Sequence, residues 1–408
     1  MNRRDFLKTA GLATVNAPFW MGIMPENLWA KVPTGIKVTE IKTFIVRNAV
    51  YVKIYTNQGI TGLGQANVQS LELAIDGAIK DLGRLLIGKD PIKIEYLWQV
   101  MFRWPRAHGG AVLNSAISAL DIALWDILGK VMDAPIYMLT GGAVRDKVRV
   151  YAHCYSRLNP EGMREAVLKV KEEGFTAIRT ALNFVNWKSR IIERPWKFNM
   201  AVKTIEIMRE AAGEDVDIID DAHGLMTPVM VMEYCKAIEP YRLLFLEDPV
   251  QPENIPGLKW IQDHTTVPLA IGENNYTKLG FREIIHNHLV NYVRPDALWA
   301  GGITECKKIA AMAEASFIDV CLHGGGTVNS LAATHISAST PNCVLQEPRS
   351  GTSDMFYGDG ITVTNGYAAL PEKPGLGCDL NEEIAKKYPY EPGTLPYLSY
   401  EDGSVSDY

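Results

Sequence analysis

Along the second half of the chain, short apolar runs alternate with polar connections and helix-like stretches about every 25 residues, and each run closes on an acidic residue or a histidine. The runs are VDIIDDAHG, LLFLEDPV, VPLAIGEN, VNYVRPD, DVCLHGG and CVLQEP, and they bring in Asp221, Glu247, Glu273, Asp296, His323 and Glu347. A strand with its crossover helix takes about that many residues, because parallel strands need a connection of a dozen or more. The rhythm therefore predicts parallel β/α units. Two further strands are expected ahead of them, VRVYAHC and FTAIRTAL, the second carrying Arg179 near its end. In a parallel barrel the strand ends on one face converge, so side chains remote in sequence become candidates for one site.

Upstream the pattern changes. VTEIKTFIVRN and AVYVKIYTNQGITGLGQA read as strands with a hairpin turn at Asn57-Gln58-Gly59. Helical periodicity follows over 71–86, 92–104 and 113–132, the last with Ala116, Leu120, Ala123, Leu124 and Ile127 on one face. This predicts an α+β unit over residues 31–146 ahead of a barrel over 147–366. The tail, 367–408, is poor in period and rich in Pro, Gly and Tyr, and is expected to fold back on the first unit.

Composition narrows the class. With 408 residues and 47% hydrophobic content the chain can bury a large core. A formal net charge of -6 without runs of Lys or Arg leaves no electrostatic footprint for nucleic acid. No apolar stretch reads as a permanent membrane span. The first 30 residues form an exception to fold reasoning: Arg3-Arg4-Asp5-Phe6-Leu7-Lys8, an apolar stretch and Leu28-Trp29-Ala30 resemble a twin-arginine signal peptide, so a periplasmic or otherwise extracytoplasmic location is expected. The six cysteines have no CxxC spacing and read as buried small side chains.

Asp221, Glu247 and Glu273 stand at three successive strand ends and offer only oxygen ligands, a set that favours Mg²⁺. Asp-x-His, Glu-Asp-Pro, Gly-Glu, Pro-Asp…Gly-Gly-Ile-Thr, a further His and Gln-Glu follow in order along the predicted strands. Together with ISALDIALWDILGK and KPGLG they resemble the enolase superfamily, mandelate racemase type. IEYLWQVMFR and PEKPGLG look like D-galactonate dehydratase, ENIPGLKWIQDHTTVPLAIGE and HGGGT like mannonate dehydratase. The fold this implies is α/β, a modified (β/α)8-type barrel with an α+β capping domain formed from the N-terminal segment and the C-terminal tail.

The resemblance implies a Mg²⁺-dependent dehydratase that converts a sugar acid to the 2-keto-3-deoxy acid, and a homo-oligomer. Abstracting the proton next to a carboxylate requires a cation to stabilise the enediolate, a requirement common to enolase-superfamily sites. His323 would be the base, oriented by Asp296; His223 would protonate the departing 3-hydroxyl; Glu347 would lie by the substrate carboxylate. Arg179, and His108 on the capping segment FRWPRAHGG, would contact substrate. Mandelate racemases carry Lys-x-Lys where this chain has Arg179-Thr180-Ala181, and arginine is a poor base. Mannonate dehydratases pair an arginine there with a tyrosine in the next loop, but residues 183–199 hold no tyrosine, so His323 is expected to be the sole base. The galactonate dehydratase arginine after Asp-x-His-Gly is Leu225 here. Alternatives are a cycloisomerase or epimerase of an acid sugar, and a non-catalytic exported sugar-acid-binding protein.

Overall fold

The computed structural model describes residues 34–155, 160–181, 185–186, 191–192, 198–348, 354–358, 360–393, 395 and 397–406. The signal-like segment and most of the 183–197 connection, with Trp187, Lys188, Arg190 and Trp196, lie outside the described residues. Residues from Ile36 onward form one compact unit.

Three antiparallel strands open it: β1 (Val38–Val46), β2 (Ala49–Thr56) and β3 (Thr61–Ala66). Gly59, at a φ of +77°, makes the predicted turn. Helices α1 (Glu72–Gly83), α2 (Ile94–Arg103) and α3 (Ala111–Met132) follow. Strand β3 lies directly on α3, because a Cβ on Gly62 or Gly64 would run into the carbonyl oxygens of Ala123 or Ala119. On α3 the predicted apolar face is fully buried, each large side chain contributing about 1.5–3 kcal/mol. By length and composition α3 could also cross a bilayer, contrary to the sequence reading, but in the fold it is a core helix. Its polar side chains are satisfied inside: Asp126 accepts from the backbone N–H groups of Leu63 and Leu376, both at 2.8 Å, and from Lys130.

Eight parallel strands form the second layer, in the order β5 (Ala152–His153), β6 (Ala177–Ala181), β9 (Asp217–Asp221), β10 (Phe245–Glu247), β11 (Leu269–Ile271), β12 (Tyr292–Val293), β13 (Asp319–Leu322) and β14 (Cys343–Gln346), with the short pair β7 (Val185–Asn186) and β8 (Ile191–Ile192) outside it. A bridge between Val150 and Gln346 joins the two edges, so the sheet closes into a barrel. After the short α4 (Ile136–Leu139), the helices between the barrel strands are α5 (Pro160–Glu172), α6 (Phe198–Ala212), α7 (Pro228–Ile238), α8 (Ile255–Gln262), α9 (Thr277–His286), α10 (Gly302–Ala315) and α11 (Thr327–Ala338), and β15 (Phe356–Gly358) and β16 (Val363–Thr364) follow the last barrel strand. One finer expectation fails: VRVYAHC is not one strand. Its start, β4 (Lys147–Arg149), pairs antiparallel with β17 (Tyr367–Ala369), and only Ala152–His153 joins the barrel.

The tail returns to the opening sheet. Lys53, nearly buried, pairs with Asp379 and Glu382, and Tyr55 donates its hydroxyl to Glu382 at 2.7 Å. The capping layer also grips one barrel loop: Trp98 donates to Gly301 O and Asp121 accepts from Thr304 N, at 2.8 and 3.0 Å, while Gly301 N donates to Ser118 at 2.9 Å. All six cysteines are free and buried, as their spacing suggested.

Candidate active site

The barrel interior is filled by one layer of Tyr151, Ala177, Ile219, Phe245, Ala270, Cys321 and Leu345, with Tyr292 packed against it. Side chains along a strand alternate with period two, so the residue two positions beyond each of these points inward again, one layer nearer the C-terminal mouth. That step gives His153, Arg179, Asp221, Glu247, Arg294, His323 and Glu347. The next inward step from Arg294 gives Asp296. Glu273 is out of phase, three residues past Ala270. Gly272 breaks the register with a φ of +146°, where a Cβ would meet Phe281 at 2.7 Å and Arg294 N at 2.9 Å.

Two networks result. Asp296 accepts from Leu298 N at 2.6 Å and from Asn329 Nδ2 at 3.1 Å, and its Oδ2 meets His323 Nδ1 at 2.6 Å. His323 Nε2 is left facing Glu273 at 3.3 Å and Glu347 at 3.6 Å. Burial works against a charged imidazole here, but the Glu347, Glu273 and Asp296 carboxylates outweigh it and push His323 up to about 10.

The second network is cationic at its centre. Arg294, fully buried, pairs through Nε with Glu247 at 2.6 Å and through Nη2 with Glu347 at 3.3 Å and with the Tyr151 hydroxyl at 3.0 Å. Arg179 pairs with Asp221 and, at 3.3 Å, with Glu247. Burial raises the Glu247 carboxyl, but Arg294 and Arg179 win and hold it below its ordinary value. Glu347 behaves alike, held well down against burial by His323, His153 and Arg179. His153 Nε2 lies 2.8 Å from Glu347 Oε1. Glu347 is therefore paired rather than protonated.

His223 follows Asp221 with a φ of +48°, and its Nε2 sits 2.9 Å from Asp221 Oδ2. Burial and then the Arg179 charge lower its pKa, an effect moderated by the 40% exposure of the ring. A small pocket begins at His223 and runs past Asp248, Gln251, Asn274 and Asn275.

The carboxylates suit a hard cation, and Asp248 joins the expected Asp221, Glu247 and Glu273 at the mouth. Among the described residues, the acidic oxygens that converge within 4.8 Å belong to Glu247, Asp248 and Glu273, whereas Asp221 is turned to Arg179 and His223. Asp248 is pushed well above its ordinary value by burial and by Glu273 and Glu247, which is the repulsion a cation relieves. Glu247 Oε1 and Asp221 Oδ2 sit in ion pairs yet accept no aligned hydrogen bond, leaving lone pairs for a ligand. This all-oxygen donor set fits Mg²⁺.

His108 is not brought to the mouth: it is exposed, its ring packs on Phe102 of its own segment at 4.8 Å, and among the described residues no contact from it to the mouth appears. The sequence reading also missed three residues, His153, Arg294 and Tyr155. The first two could have been found by the period-two step. Tyr155 lies just past β5, and its hydroxyl accepts from Arg179 Nη1 at 2.5 Å. A tyrosine on the arginine is thus present after all, supplied by the neighbouring strand rather than the following loop. Tyr155 is half exposed, and its partial burial raises its pKa against the opposing charge of Arg179; His323, fixed by Asp296, stays the base candidate.

Residues 162–384 match the family model Enolase C-terminal domain-like, and residues 23–141 match Mandelate racemase / muconate lactonizing enzyme, N-terminal domain. The chain is 36% identical over 400 residues to a D-mannonate dehydratase of Caulobacter vibrioides, covering 91% of this chain and 99% of the relative. It is 32% identical to a D-galactonate dehydratase family member of Cellvibrio japonicus, with the same coverage. An enolase from Pantoea ananatis solved with bound D-gluconate and Mg superposes with a TM-score of 0.84 at 31% identity, covering 91% of this chain and 99% of that one. The 3,6-anhydro-D-galactonate cycloisomerase of Zobellia galactanivorans does so with a TM-score of 0.77 at 29% identity, covering 86% and 99%.

Proposed function

This chain belongs to the enolase superfamily and is a carbon–oxygen lyase of its dehydratase group, and from that premise we propose that it removes water from a C6 sugar acid to give the 2-keto-3-deoxy acid. The observation that carries the reading is the Asp296–His323 pair, with Nδ1 held at 2.6 Å and Nε2 turned to the mouth. In an eight-strand ring β13 and β9 are opposite each other, so His323 and His223 face a bound acid from opposite sides.

His323 Nε2 takes the proton from C2, and the electron pair passes into the carboxylate as an enediolate. As that pair returns, the C3–oxygen bond breaks, and His223 donates a proton so that water leaves. The resulting enol gains a proton at C3 and becomes the 2-keto acid. Glu247 and Glu273 would hold Mg²⁺, with Asp221 and Asp248 as the flanking carboxylates, and its charge would stabilise the enediolate. Sharing their charge with the ion would also bring His323 down toward the range in which it accepts a proton. His323, His153 and Arg179 keep Glu347 ionised, and its contacts with Arg294 and His153 hold it in place. Arg179, with Tyr155 on it, presents a fixed cation to the substrate anion.

The likeness to D-mannonate and D-galactonate dehydratases and to a structure holding D-gluconate supports an aldonate as substrate. The likeness to a cycloisomerase supports a second reading, in which the same enediolate closes a ring. Incubation with a set of C6 aldonates and anhydro acids, followed by a carbonyl assay and NMR of the product, separates them. A free 2-keto-3-deoxy acid is the expected result, and a cyclic product or none at all would overturn the dehydratase reading. The same proposal includes export by the twin-arginine route. Replacing Arg3 and Arg4 with lysine should leave the protein in the cytoplasmic fraction, and an unchanged distribution would remove that part.

A further inference from the structure

We infer that Trp299 is a specificity-determining residue that donates its indole N–H to an oxygen of the bound acid beside the carbon addressed by His323; this rests on the proposed sugar-acid reading. Trp299 lies in the turn after β12, where its backbone N–H donates to Asp296 O at 3.1 Å. That turn is fixed from two sides. Asp296 is held by Leu298 N and Asn329, and Gly301 is clasped by Trp98 and Ser118 of the capping layer. So placed, the indole packs on the His323 ring with centroids 5.5 Å apart and planes inclined by 38°.

The second observation is independent. Trp299 Nε1 is buried and has no hydrogen-bond partner among the described residues. A buried indole N–H usually finds an acceptor, and leaving one unmade is costly. Two other tryptophans of this region show the usual outcome: Trp98 Nε1 donates to Gly301 O and Trp125 Nε1 to the Thr304 hydroxyl, both at 2.8 Å. Trp299 alone of the three lacks an acceptor, and it is the one against the base. A 2-hydroxy acid bound for proton removal at C2 carries oxygens on C1 and C2, within reach of a group packed on His323. The carboxylate and hydroxyl oxygens of such an acid are acceptors of the kind the N–H lacks.

The test compares three proteins at residue 299: the wild type, Trp299→Phe, and a protein with 3-benzothienylalanine replacing Trp299, which keeps the bicyclic shape and puts sulfur where the N–H was. KM and kcat are measured on the acid the wild type turns over best, and Kd by calorimetry for its product, or for the acid itself where it binds without being turned over. A contact made equally before and in the transition state appears in KM. Losing a hydrogen bond to a charged acceptor should raise KM and Kd at least about tenfold with kcat held within about threefold. If Trp299→Phe fails to fold, the benzothienyl protein decides. Unchanged KM and Kd in it would overturn the inference, as would a fall in kcat alone, which would mean the ring acts on His323 instead. A wild type that binds an acid but yields no 2-keto product would sink the dehydratase reading while the Kd comparison still judged Trp299. No binding of any acid would sink both.

Discussion

At the scale of single residues, the two histidines divide the proposed chemistry, and their variants should fail differently. His323→Asn removes the base and should abolish both exchange of the C2 proton with solvent deuterium and dehydration. His223→Asn should lower dehydration by about 10²–10⁴-fold, the usual worth of a general acid, while C2 exchange remains measurable. Deuterium incorporation by NMR beside a keto-acid assay checks both, and a His223→Asn protein dehydrating at the wild-type rate would make that histidine structural. The local sequence made these residues visible because each closes an apolar run. His153 and Arg294 were passed over because they stand inside such runs, where Val-Tyr-Ala-His-Cys and Tyr-Val-Arg-Pro look like strand interior. His108 stands in a mixed Trp-Arg-His loop that resembles a contact surface, and nothing local in the sequence reveals that its ring packs on Phe102.

At the scale of elements, α3 and α11 carry groups whose roles are structural and measurable. Asp126 on α3 satisfies backbone N–H groups from β3 and from the returning tail as well as Lys130. Asp126→Ala would strand the two buried N–H groups and leave Lys130 with Thr61 O and the more distant Asp379, and a loss of about 3 kcal/mol in urea unfolding is expected. His335 on α11 accepts from Tyr137 N at 3.3 Å and donates to Leu376 O at 3.2 Å, which needs the neutral ring, and burial pushes it down to about 4. Unfolded, the ring titrates near 6.5. Between about pH 6.5 and pH 4 the unfolded chain binds a proton that the folded one does not. Stability contributed by His335 is therefore full above 6.5 and declines as pH falls, by up to about 3 kcal/mol. The buried Asp121 and Asp220, pushed up to about 7 by burial, act in the opposite sense over this window, so wild type must be compared with His335→Gln. The expected outcome is a shallower acid-side loss in the variant, read from unfolding midpoints at several pH values. Element positions followed from hydrophobic period, and the one strand misjudged, VRVYAHC, changes sheets midway because its start is paired by the distant tail.

For the whole molecule, the carboxylates around the barrel mouth make metal binding a folding question as well as a catalytic one. Glu247, Asp248 and Glu273 repel one another in the folded state, and an ion that binds only there stabilises the fold by mass action. At 100 times its Kd, Mg²⁺ should add about 2.7 kcal/mol to stability, seen as a rise in Tm that EDTA reverses. Glu247→Gln should show a much smaller rise. A Tm indifferent to Mg²⁺ and EDTA would contradict the cation assignment without any assay of turnover.

The sequence alone determined the strand rhythm, the α/β barrel class, the order of polar residues along the mouth and the carboxylate character of the candidate metal ligands there. These depend on spacing and residue type, and hydrophobic period carries both. Only the tertiary structure decided which side chains meet. Parallel pairing of β5 with β6 sets Tyr155 beside Arg179 across 24 positions of sequence, the curl of the sheet sets Arg294 between Glu247 and Glu347, and the capping helix clasps the loop that lays Trp299 on His323. The glycine break at Gly272 puts Glu273 out of step with its strand, so that Asp248 rather than Asp221 converges with it and Glu247. Such meetings arise from strand register and ring closure, and a one-dimensional pattern holds neither.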